Sequence, residues 1–149
     1  MTPVRRLVTV DDPGGHSRAL ADGPAPAVHT DPSRPGYSST LIWYTERTPA
    51  RIDTAPLHAS YRESPPTGGS VCRVVCFPPD TTQRSFNERK TRTLDFCLVL
   101  EGEITLVLDL EEVHLKAGDT VVQRGTRHAW SNRSGKPCVV AISSHDAHD

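Results

Sequence analysis

The strongest regularity in the chain is a two-residue alternation of apolar and polar positions, the period of a half-buried β-strand. It is clearest at residues 70–77, where Val71, Arg73, Val75 and Phe77 alternate with Cys72, Val74 and Cys76, and at residues 104–110, where Ile104, Leu106, Leu108 and Leu110 form one apolar face. Further strands are expected at residues 94–100, 113–116, 120–123, 128–131 and 139–143, with turns at Glu101-Gly102-Glu103 and around Gly125. Residues 91–132 therefore read as two β-hairpins joined by a turn, and the polar residues 80–89 as a loop. There is no helical period. Short strands at this pitch, separated by glycine-bearing turns, predict an all-β sandwich or barrel.

The first third of the chain is less regular and holds most of the thirteen prolines. Strand-like islands occur at residues 4–10, 17–21 and 38–45, the first two separated by the turn-forming run Asp11-Asp12-Pro13-Gly14-Gly15. Residues 22–36 have no periodicity, and their prolines exclude a central strand or helix, so an extended surface arm is expected there. The run Ser64-Pro65-Pro66-Thr67-Gly68-Gly69 breaks the chain again before the strand that opens the barrel. This divides the chain into an N-terminal arm with accessory strands packing on the barrel (1–69), a barrel core (70–144) and a polar tail (145–149), the tail carrying His145 and His148 as an unordered end.

With 149 residues the chain is one domain's worth and can bury a substantial core. Its formal net charge of -1, with no run of Lys or Arg, lacks the footprint that nucleic acid or an anionic membrane surface requires. No stretch approaches a membrane span, and residues 1–10 carry Arg5 and Arg6 without the apolar segment of a secretory signal; a cytoplasmic location is the expectation. Cys72, Cys76, Cys97 and Cys138 lie in apolar β-like runs rather than at zinc-site spacings, so they read as reduced core residues. Leu41, Trp43 and Tyr44, beside the proline-rich arm, offer an apolar edge that predicts a homodimer.

The segment from Gly118-Asp119 to His128-Ala129-Trp130-Ser131-Asn132 resembles the second motif of the cupin family, with His128-x3-Asn132 intact. Asp95 and Gly102 match the Glu-x6-Gly end of the first motif, Asp replacing Glu, and fifteen residues separate Gly102 from Gly118, the short spacing of small single-domain microbial cupins. Two departures stand out: Arg124 occupies the position of the usual proline, and the Gly118 to His128 interval is one residue short. The resemblance covers roughly the last half of the chain. It implies a double-stranded β-helix, the jelly-roll cupin barrel, usually dimeric, with a pocket inside and here with an extended N-terminal β arm.

By the same resemblance the family's metal-ligand positions fall at Arg89, Thr91, Asp95 and His128. A guanidinium cannot ligate a cation and Thr is a poor ligand, so no cofactor is expected; the alternative is a divalent transition metal on His128 and Asp95. By alternation Thr91, Thr93, Asp95 and Cys97 share one strand face, and His128 and Trp130 share another. His128 and Asp95 are the expected catalytic acid/base pair, the bland alternative being a mutual hydrogen bond left from an ancestral metal site. Arg89, Thr91, Thr93 and Trp130 are the expected substrate-binding residues. Arg89 would present positive charge to a carboxylate or enolate, or else be a solvated loop residue beside Lys90 and Arg92. The function expected is a small-molecule enzyme of secondary or catabolic metabolism, a lyase or isomerase working by dehydration, cyclisation or decarboxylation. The alternatives are a metal-dependent dioxygenase or other oxidoreductase, and a non-catalytic ligand-binding protein.

Overall fold

The structure, a computed structural model, describes residues 3–52, 57, 59–81 and 91–148, and every regular element among them is a strand. The expected substrate-binding residue Arg89, with Glu88, Lys90 and most of the expected loop, lies outside the described residues, as does His58.

Strands β1 (Arg5–Asp11) and β2 (Ser17–Pro24) form a separate antiparallel hairpin around the Asp12–His16 turn. Strands β3 (Val28–Thr30), β4 (Ser38–Thr45), β5 (Ser70–Phe77), β6 (Thr93–Glu101), β9 (Thr120–Arg124) and β11 (Cys138–Asp146) build a six-stranded sheet in the order β3-β4-β5-β11-β6-β9. The remaining strands, β7 (Glu103–Val107), β8 (Glu112–Lys116) and β10 (Ala129–Ser131), form a second sheet in the order β10-β7-β8.

Alternation decides which residues enter the space between the sheets. Val75, Val99, Val140 and Ile142 from the larger sheet meet Ile104, Leu106 and Leu115 from the smaller, and all are buried. Where the alternation places polar side chains on the inward face, at Arg73, Asp95 and Ser144, the apolar core gives way to a cavity. The outward face of the larger sheet leaves Phe96, Leu98, Leu100 and Val122 exposed.

Several expectations are corrected by the pairing. β6 and β7 are consecutive but do not form a hairpin: β6 pairs with β11 and β9, while β7 pairs with β8 and β10. Glu101-Gly102-Glu103 is therefore the crossing from one sheet to the other, and Gly102 makes it with φ of 82°. Residues 120–131 cross in the same way, from β9 to β10. β7 ends at Val107, so Leu110 leaves the apolar face and is 98% exposed. β3 pairs with β4 at Ser38, Ser39 and Thr40, and Leu41 is fully buried rather than exposed, while Trp43 and Tyr44 further along β4 are half-buried. β3 is an edge strand inside the proline-rich arm, where prolines are tolerated. β11 runs to Asp146, so His145 pairs with Leu94 and Ser70 in the sheet instead of lying in a tail.

Candidate active site

The two sheets enclose a cavity of about 740 Å³, within the range of small-molecule sites. Thr91, Thr93, Asp95, His128 and Trp130, all expected from the sequence, line it together, and Cys97 joins them. β6 delivers Thr93, Asp95 and Cys97 to its inward face by alternation, while β10 and the residue before it deliver Trp130 and His128 from the opposite sheet. The rings of His128 and Trp130 stand edge to face with centroids 6.4 Å apart.

His128 is 8% exposed, and its Nδ1 lies 2.8 Å from the Thr126 carbonyl oxygen. A carbonyl can only accept, so Nδ1 carries the proton of the neutral ring and Nε2 carries the lone pair. Thr126 in turn donates its hydroxyl to Gln123 Oε1. Asp95 is 6% exposed, and its Oδ1 is buried without a hydrogen-bond partner among the described residues; Thr91 Oγ1 is in the same condition. No hydrogen bond joins His128 to Asp95 among the described residues. Burial first, and then the Asp95 carboxylate, push the Cys97 thiol up to about 12, with Arg73 pulling the other way.

Other residues of the site were not singled out by the sequence. Arg73, 9% exposed, projects inward from β5 between Val71 and Val75. Its signal was present: a charged residue on the apolar face of an alternating strand either is paired or awaits a ligand. Arg34 and Tyr37 come from the proline-rich arm, where no periodicity marks them, and the Arg34 guanidinium sits 4.7 Å from the Tyr37 ring centre. Burial raises the Tyr37 hydroxyl above its ordinary value.

Among the described residues no three His, Cys, Asp or Glu side chains are placed to share a metal ion. At the register where a cupin metal would be held, they supply only the Asp95 carboxylate, the His128 imidazole and a threonine hydroxyl. A divalent ion takes three or four strong N/O ligands, and Glu88 and Arg89 of the same motif lie outside the described residues.

Residues 73–144 match the family model described as Cupin domain. Those residues are a cupin domain. Among relatives of this cupin, Phomopsin biosynthesis cluster protein C' of Diaporthe leptostromiformis is 44% identical over 82 residues, covering 52% of this chain and 42% of that protein. The cupin-domain-containing oxidoreductase virC of Hypocrea virens is 32% identical over 102 residues, covering 65% of this chain and 51% of that protein. The chain thus spans about half the length of the curated relatives it matches. The Cnp3 cupin domain of Schizosaccharomyces pombe superposes with a TM-score of 0.58 at 9% identity, over 95% of this chain and 87% of that one, a likeness of fold alone. No helix among the described residues is long and apolar enough to cross a membrane.

Proposed function

We propose that this cupin is a lyase or isomerase acting on a small molecule of secondary or catabolic metabolism, with His128 and Asp95 moving the proton. The observation that carries the reading is the His128 Nδ1 contact to the Thr126 carbonyl at 2.8 Å. It holds the ring in the tautomer whose Nε2 is basic, and it stabilises the imidazolium formed when Nε2 takes a proton. Asp95 reaches the cavity from the opposite sheet, so whichever of the two groups enters deprotonated takes a proton from a substrate between the walls, the one that enters protonated delivers one, and both exchange with solvent before the next turnover. A proton taken from carbon and returned to a second carbon gives an isomerase; one delivered to a departing hydroxyl gives a lyase. Neither needs an external oxidant. The relative from the phomopsin cluster supports a setting in secondary metabolism.

The name of the Hypocrea virens relative favours a second reading, an oxidoreductase. One experiment separates them: deuterium uptake from D2O into a panel of enolisable carbonyl compounds, followed by NMR without oxygen. Proton transfer predicts uptake that falls about a hundredfold or more in His128→Ala with the melting temperature retained, and an Asp95→Asn variant that loses rate more than binding. Uptake indifferent to His128→Ala removes the assignment, and turnover only in the presence of oxygen moves the protein to the second reading.

A further inference from the structure

Besides His128 and Asp95 the cavity is lined by Arg73, and its guanidinium is only half engaged. Nη1 donates to Ser39 Oγ at 3.1 Å and lies 3.8 Å from Glu63 Oε1, a long pairing to a partly exposed carboxylate. Nε is buried with no hydrogen-bond partner among the described residues, where the printed contacts of the guanidinium all run through Nη1. Nε and Nη2 form one edge of the planar fork, the edge that takes a carboxylate through two parallel N–H···O bonds. A buried guanidinium with that edge empty carries a desolvation cost that a ligand anion would offset.

We propose that Arg73 is an anion anchor and that the cavity binds a monocarboxylate with an apolar or aromatic body. The inference rests on the proton-transfer reading for the cavity's use and names its substrate class. Arg73, Ile142 and Cys97 occupy one transverse row of the sheet, and Asp95 lies one inward position further along β6. At ~4.8 Å between strands, the Arg73 and Cys97 backbones are about 10 Å apart, so an apolar floor of Ile142 and Cys97 separates the guanidinium from Asp95. One wall is aromatic: Tyr37, Phe77 and Trp130 follow one another at centroid spacings of 6.1 Å, and Trp130 leads to His128. A carboxylate on Arg73 would thus lay its carbon body along this wall toward the imidazole, and Thr91 Oγ1 offers a further unused hydroxyl. Asp31, Glu63, Asp95 and Asp146 line the cavity beside Arg34, Arg73 and Arg92, so the lining carries one more acidic than basic side chain and a phosphate dianion meets about twice the net repulsion of a singly charged carboxylate.

Calorimetric titration of the full chain tests this with hydrocinnamate, its uncharged amide hydrocinnamamide, and phenyl phosphate. The acid should bind at least tenfold more tightly than the amide and more tightly than the phosphate. In Arg73→Met the acid should lose about 30-fold or more while the amide stays within about twofold, because only the charged contact is removed. Arg73→Lys, which keeps the charge and loses the fork, should fall between the two and serves if the Met variant does not fold. Failure of the wild type to bind the acid, equal affinity for acid and amide, or a preference that survives in a folded Arg73 variant overturns the anchor; a tenfold preference for phenyl phosphate overturns the carboxylate class. His128→Ala separates this proposal from the proton-transfer reading, since it should bind the acid normally whether or not deuterium uptake depends on it.

Discussion

The His128-x3-Asn132 spacing presents a histidine of the cavity and an asparagine that lies elsewhere, and removing the asparagine tests what it does. Asn132 is 1% exposed and is not part of the cavity wall. Its Nδ2 donates to the carbonyls of Phe77 at 2.9 Å and Lys136 at 2.7 Å, and its Oδ1 accepts from Ser134 N at 3.0 Å and Ser134 Oγ at 2.8 Å. The side chain therefore ties the end of β5 to the chain leaving β10, the strand that sets Trp130 6.1 Å from Phe77. In Asn132→Ala all four bonds disappear. The Phe77 bond is buried and contributes about 1–3 kcal/mol, whereas water can partly replace the others at Lys136 and Ser134, so a loss of about 3 kcal/mol is expected. For a chain of this size that corresponds to a melting temperature lower by roughly 6–12 °C. Asn132→Asp sharpens the test because its volume is unchanged. An ionised carboxylate keeps the two Ser134 bonds but turns oxygen, not N–H, toward two carbonyls. That variant should be at least as damaged at pH 7 and should regain stability as pH falls and its carboxylate, raised above its unfolded value, takes up a proton. Urea denaturation followed by tryptophan fluorescence measures all three proteins, provided the m-value is unchanged. A loss under about 1 kcal/mol in Asn132→Ala, or an Asp variant equal to wild type at pH 7, would refute the clamp.

Two further expectations follow from local geometry. Burial pushes the thiol of Cys97 up to about 12 and that of Cys138 to about 11, and raises Cys72 and Cys76 as well. Because raised values keep thiols protonated, the native protein at pH 8 should titrate with Ellman's reagent only slowly and release all four thiols in denaturant; rapid labelling of Cys97 in the folded protein contradicts the buried placement. A Cβ added at Gly102 would lie 2.6 Å from the Pro137 carbonyl oxygen and 3.1 Å from Cys138 Cα, on a backbone with φ of 82°, whereas at Gly118, with φ of 95°, it meets open space. Thermal melts should therefore show Gly102→Ala losing about 2–3 kcal/mol and Gly118→Ala only about 1 kcal/mol, and equal losses would mean that strain alone, not the close approach, governs both turns.

What the sequence alone determined is the local part of this protein. A period of two specifies a strand and which side chains share its face, so residues 70–77 and the row Thr93, Asp95, Cys97 are legible from alternation, and the cupin motif places that row at one pocket. What each strand pairs with is not local. β6 and β7 look like a hairpin because they are adjacent and joined by a glycine turn, yet burying two apolar faces against each other requires the chain to change sheets at Gly102, and only packing can impose that. The cavity was decided at the same level. His128 draws its orientation from a carbonyl two residues away, which alternation does not encode, while Arg73, Tyr37 and Asp95 meet from segments up to about 60 residues apart. Their chemistry arises from the burial they share, because the low dielectric between the sheets makes a half-engaged guanidinium or a carboxylate significant where the same residue on the surface would be merely solvated.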